Sequence, residues 1–115
     1  EPVNDEPAIT RYILKKADTD GACPVYPVGA VTRGQAGETL AEMAALVEAG
    51  CVAFSDDGRP VMDSLIMRRA LEYARIFDVP LVAHAEDARL SEGGVMNEGL
   101  TATRLGLPGV PNAAE

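Results

Sequence analysis

The sequence predicts an α/β fold built on parallel strands. Two short apolar runs, Cys51–Ser55 and Val79–Ala83, show no alternation of polarity, which is the pattern of strands buried on both faces of a parallel sheet. Segments of helical length separate the apolar runs, and strands alternating with helices make βαβ units. Each run also breaks off into polar groups, Asp56-Asp57-Gly58 after the first and His84-Ala85-Glu86-Asp87 after the second. In parallel sheets and barrels the carboxyl ends of strands are where ligands bind.

The elements follow in order. Glu1 to Glu6 is polar and contains proline, so it reads as a loop. Pro7 suits the first position of a helix, where its missing N–H would be unpaired in any case. Ile9, Ile13 and Ala17 then recur at helical spacing until Gly21. Cys23 to Val31 is an apolar, β-branched stretch read as a strand, although Pro24 and Pro27 sit poorly in a central one. Thr32 to Gly37 is a loop. A helix over about Glu38–Ala49 carries Leu40, Met43, Ala44 and Val47 on one face, and Gly50 closes it as a left-handed cap. After the Cys51–Ser55 strand, Asp63 caps a helix over about Ser64–Phe77. Its inner stripe is Ile66, Ala70, Ala74 and Phe77, with Arg68, Arg69, Glu72 and Arg75 largely elsewhere. Val79–Ala83 is the third strand. From Glu86 to Gly99 the chain is polar and glycine-rich. Thr101–Leu105 forms a helical turn, Leu107–Pro111 is irregular, and Asn112–Glu115 reads as a cap with a first helical turn.

Composition narrows the function. The 115 residues amount to one domain or less. With two Phe, three Tyr and no Trp, the core must be mostly aliphatic. A net charge of −8 argues against nucleic acid or an anionic membrane as partner. No run approaches the roughly 18 apolar residues of a membrane span, and no secretory signal is visible, so a reducing cytoplasm is the expected compartment. Cys23 and Cys51 both open apolar runs and are expected to be small core residues rather than a disulfide. Their spacing fits no CxxC metal motif.

Among groups that carry chemistry, Asp57 and His84 stand out because neighbouring strand ends would direct both into one site. An Asp-Gly after a strand is also ordinary turn chemistry, and a lone histidine beside an apolar run is often structural. Glu86 and Asp87 are placed to support His84 from behind, or simply to cap and solvate the loop. There is no glycine-rich phosphate motif and no nucleophile elbow.

Taken in order, several stretches resemble a type I dihydroorotase of the amidohydrolase superfamily. Pro2-Val3-Asn4-Asp5-Glu6 looks like the segment after that family's Met-Pro-Asn-Thr motif. Glu48-Ala49-Gly50-Cys51-Val52-Ala53-Phe54-Ser55-Asp56-Asp57-Gly58, continued by Pro60-Val61-Met62-Asp63-Ser64, resembles its fourth-strand signature. Val82-Ala83-His84-Ala85-Glu86-Asp87 resembles its fifth-strand motif, and Asn97-Glu98-Gly99 matches the loop beyond. The likeness runs through nearly the whole chain.

The resemblance implies a (β/α)8 TIM barrel, of which residues 1–115 would be an internal part of a single domain supplying about three parallel strands and their helices. It implies zinc as the cofactor. The implied reaction is the interconversion of N-carbamoyl-L-aspartate and L-dihydroorotate in pyrimidine synthesis. By position, Asp57 is matched to the carboxylate metal ligand of the fourth strand and His84 to the histidine ligand of the fifth. Asp56 is the alternative carboxylate. Relatives such as hydantoinases place a carboxylated lysine on the fourth strand; no lysine is near Asp57, which favours type I. The remaining histidines, the substrate-contact residues and the catalytic aspartate of the family have no counterpart here, so no catalytic or substrate-binding residue is assigned. The chain alone is therefore expected to be inactive and a weak zinc binder. Self-association or association with aspartate transcarbamoylase is the partner expectation. Competing readings are an allantoinase- or hydantoinase-like enzyme, a non-catalytic scaffold subunit, and a stand-alone Mg²⁺-binding module using Asp56 and Asp57.

Overall fold

The computed structural model describes residues 2–115. It divides into two compact units, the first ending at His84 and the second spanning Ala85–Glu115.

The first unit begins with α1, Pro7–Asp20, which has Pro at its first turn and Gly21 at its C-cap, as the sequence predicts. Its inward side is not the expected isoleucine stripe. Thr10 is the buried residue, and Ile9, Ile13 and Ala17 are half-buried. Thr10 goes inside because its hydroxyl has partners there: it donates to Asn4 Oδ1 at 2.8 Å and lies 3.3 Å from Cys51 Sγ. A buried hydroxyl is tolerated when it is bonded.

Of the predicted Cys23–Val31 strand only β1, Val28–Gly29, is paired. The two prolines upstream account for this, since they lack the N–H a ladder needs. β1 runs parallel to β2, Ala53–Phe54, with Val28 opposite Ala53 and Gly29 opposite Phe54. The third strand, expected over Val79–Ala83, reduces to a parallel bridge between Leu81 and Phe54, with Val82 N–H donating to Phe54 O at 2.8 Å. The predicted order of three parallel neighbours is therefore present, in much shorter form. Closure into a barrel is not seen in this segment.

The helix expected from Glu38 starts later, as α2, Met43–Ala49. Residues 33–39 instead form a short excursion beginning with a 3₁₀ turn, Arg33–Gln35, and closed by an antiparallel bridge between Thr32 and Leu40. Gly50 caps α2 at φ 115°, where its N–H reaches the carbonyls of Leu46 and Val47. Leu46, absent from the predicted helix face, is fully buried beside Met43. α3, Ser64–Ile76, is capped by Asp63, whose carboxylate accepts from the Leu65 and Ile66 N–H groups. Ala70 and Ala74 are its buried residues, while Ile66 and Phe77 are half-covered. Arg68, Arg69 and Glu72 are exposed and paired with one another, and the two guanidiniums, Arg68 first, hold the Glu72 carboxyl below its ordinary range.

Phe54 lies at the centre of the core at 0% exposure, packed with Val31, Met43, Leu46, Cys51, Ala70 and Ala74. Cys51 is thus the core residue the sequence predicts. Cys23 is not: it is exposed, and both thiols are free. Gly29 is required by close approach, because a Cβ there would sit 2.8 Å from Phe54 Cε1 and 3.2 Å from Cys51 Sγ. Gly29→Ala should therefore lower stability by about 1–3 kcal/mol through overpacking, read as a reduced urea midpoint at constant slope.

The second unit is more ordered than its glycine content suggests. Asp87 caps a short helix, α4, Ala88–Ser91, by accepting from the Arg89 and Leu90 N–H groups. β3, Met96–Asn97, pairs in parallel with β4, Gly109–Val110, and α5, Leu100–Leu105, makes the crossover. The sequence reads both strand segments as irregular. Two-residue strands show no periodicity, so only the pairing partner reveals them. A 3₁₀ turn, Asn112–Ala114, stands where the first helical turn is predicted.

Candidate metal centre

The site is built at the end of β2. Side chains alternate in direction along a strand, and burial follows that alternation past the last paired residue: Phe54 and Asp56 are buried, Ser55 is half-buried and Asp57 is exposed. The two adjacent aspartates therefore face opposite ways, and their chemistry separates.

Asp56 is 3% exposed and fully bonded. Oδ1 accepts from the Val31 N–H at 2.7 Å, and both oxygens receive the Thr32 N–H at 3.2 Å. The Thr32 hydroxyl donates to Oδ2. The same hydroxyl accepts from the Gly37 N–H at 2.9 Å. One buried carboxylate thus gathers the backbone just beyond β1 and ties it to the end of β2. This arrangement leaves Asp56 facing away from Asp57 and occupied, so the alternative of Asp56 as the ligand on this strand finds no support in its surroundings.

Asp57 is free of such ties. Its side chain is 87% exposed, and its N–H donates to Ser55 Oγ at 3.1 Å in the turn completed by Gly58. His84, with 32% side-chain exposure, presents Nδ1 3.5 Å from Asp57 Oδ1. Strand register explains the meeting. Phe54 lies opposite Leu81, so three residues further along both chains Asp57 falls opposite His84, on the face away from Phe54. The sequence-predicted pair is brought together.

On the same face, Val28, Ala30 and Ser55 line a cleft of about 370 Å³ together with Asn4, Gln35 and Arg59. Asn4 is held in place by its side-chain amide donating to Val28 O at 2.9 Å while its backbone carbonyl accepts from Ala30 N–H at 2.9 Å. Sequence reasoning did not assign Asn4, Thr32 or Asp56 these roles. For Asp56 the parity it shares with Phe54 gives a face but no partner; for Thr32 and Asn4 the sequence carries no signal.

The donor pair fits a zinc ion as far as it goes. Zinc bonds of about 2.0–2.2 Å at a tetrahedral angle put two donor atoms about 3.3–3.6 Å apart, and the observed spacing is 3.5 Å. The same spacing also suits a weak ion pair when the imidazole is protonated. Among the described residues no three His, Cys, Asp or Glu side chains are grouped to hold a metal, whereas a catalytic zinc takes three protein ligands. No described helix is long and apolar enough to cross a membrane.

Fold and site together define an α/β protein with an oxygen–nitrogen donor pair at the ends of parallel strands. The chain belongs to the dihydro-orotase-like family, whose model matches residues 6–115. It is 59% identical over 115 residues to the dihydroorotase of Syntrophobacter fumaroxidans, covering 100% of this chain and 26% of the relative. It is also 59% identical to the dihydroorotase of Geotalea daltonii, covering 100% and 27%. With that of Syntrophotalea carbinolica the identity is 59% over 114 residues, covering 99% and 27%. The chain thus spans about a quarter of the length of these curated relatives.

Proposed function

We propose that this chain supplies three successive strands of a (β/α)8 barrel, as an internal part of a single domain, in a zinc-dependent dihydroorotase that interconverts N-carbamoyl-L-aspartate and L-dihydroorotate. The observation that carries the proposal is the 3.5 Å approach of Asp57 Oδ1 and His84 Nδ1 at adjacent strand ends. The relatives named dihydroorotase support the same reading, as does the chain-order succession of β1, β2 and Leu81 as parallel neighbours.

In this reading Asp57 and His84 hold the metal. Zinc, when bound, supplies the Lewis acidity that polarises the cyclic amide carbonyl. The chain's own part is to fix the two donors, while Val28, Ala30 and Ser55 line a cleft at the ends of the same strands. Two donors are fewer than a catalytic zinc requires, so the remaining ligands and the catalytic base lie outside residues 1–115.

The test is to express the complete open reading frame that encodes this chain. Zinc should co-purify, and L-dihydroorotate hydrolysis should fall to background on chelation and return with zinc. The 115-residue chain alone should hydrolyse nothing. Turnover that survives removal of all metal, or preference for allantoin or a hydantoin, would overturn the proposal.

A further inference from the structure

We infer that Asp56 is a positioning residue for the metal site: it fixes the end of β2 against the segment leaving β1, and so aims Asp57 at His84. This rests on the reading of Asp57 and His84 as metal ligands and names a residue that acts on them without touching the metal.

Beyond Phe54 the ladder hydrogen bonds between β1 and β2 end with Ser55 N–H on Gly29 O at 2.8 Å. From there a side chain takes over. Asp56 receives the Val31 N–H at 2.7 Å, the Thr32 N–H at 3.2 Å and the Thr32 hydroxyl. The carboxylate does for two backbone N–H groups what a further pair of strand residues would otherwise do. It also fixes direction. With Asp56 held inward, the next residue must point outward, and Asp57 stands on the face where His84 stands. The turn beyond is closed by Arg59 N–H on Asp56 O at 2.8 Å, so Asp57 is gripped from both sides while its own side chain stays exposed. Thr32 extends the clamp, since its hydroxyl also receives the Gly37 N–H and orders the 33–39 excursion. A metal needs its donors placed within tenths of an ångström, and supporting groups that orient ligands influence affinity without coordinating.

The isosteric Asp56→Asn removes the charge and one acceptor while keeping the volume. In the protein expressed from its complete open reading frame, Asp56→Asn should fold yet bind Co²⁺ about 10–100-fold more weakly, with an altered visible absorption of the bound cobalt and a lower kcat at little-changed KM. Thr32→Val should shift the same readouts in the same direction by less, and Thr32→Ser should restore them. These Thr32 variants decide the matter if Asp56→Asn does not fold. A role in folding alone would lower the melting temperature and leave the cobalt spectrum and affinity of the folded protein unchanged, and that result overturns the inference. Asp57→Ala and His84→Ala serve as references. If both leave cobalt binding intact, the metal-site reading fails and the positioning role falls with it; if both abolish binding while Asp56→Asn and Thr32→Val leave it intact, only the positioning role fails.

Discussion

Asp56→Ala is expected to cost the first unit about 3–6 kcal/mol. Each hydrogen bond to a charged group contributes about 1.5–3 kcal/mol net, and bonds sharing one carboxylate are less than fully additive. The substitution removes the acceptor that the buried Val31 and Thr32 N–H groups use. Small domains are stable by about 5–15 kcal/mol in total, so the variant should be marginal or unfolded at ambient temperature. Asp57→Ala next door removes an exposed side chain and should change stability by no more than about 0.5 kcal/mol. Urea denaturation of the two variants side by side checks this. Equal losses would mean that the two aspartates do not differ in role as their surroundings indicate.

The second large effect runs the other way, on chemistry with little change in stability. On the proposed function, in the protein expressed whole, His84→Ala should reduce L-dihydroorotate hydrolysis by more than about 100-fold, because deleting a supporting group alone costs about 10–100-fold and a ligand should matter more. Zinc content should fall in parallel. His84 lies at the rim of its unit, with a third of its side chain exposed, so the melting temperature should move by only a few degrees. Zinc stoichiometry measured with kcat distinguishes the outcomes. Full zinc with lost turnover would make His84 something other than a ligand.

Much of the site was legible from residue order. Asp57 and His84 each follow a short apolar run, which singles them out, but Asp57 lies two residues past its run and His84 one past, so the Phe54–Leu81 register is what sets them opposite. The helix boundaries set by capping chemistry were equally readable: Pro7 at the start of α1, Gly50 at φ 115° after α2, and Asp63 on the first turn of α3. Each of these is a local preference of backbone or side chain that acts within a few residues. Thr10 inside α1 and Leu46 inside α2 were not readable, because each depends on what another segment presents: Asn4 and Cys51 for the first, the Phe54 cluster for the second. Nor were β3 and β4, whose two-residue pairing exists only because α5 returns the chain alongside itself.

The sequence by itself determined the α/β class, the order of elements in the first unit and the two strand-end side chains proposed as metal ligands, because hydrophobic run length and capping residues act locally. Only the tertiary structure decided which of two adjacent aspartates is structural. The backbone N–H groups that Asp56 serves come from Val31 and Thr32, some 25 residues earlier in the chain, and a hydrogen-bond partner that distant is chosen by packing and register rather than by anything in the local sequence.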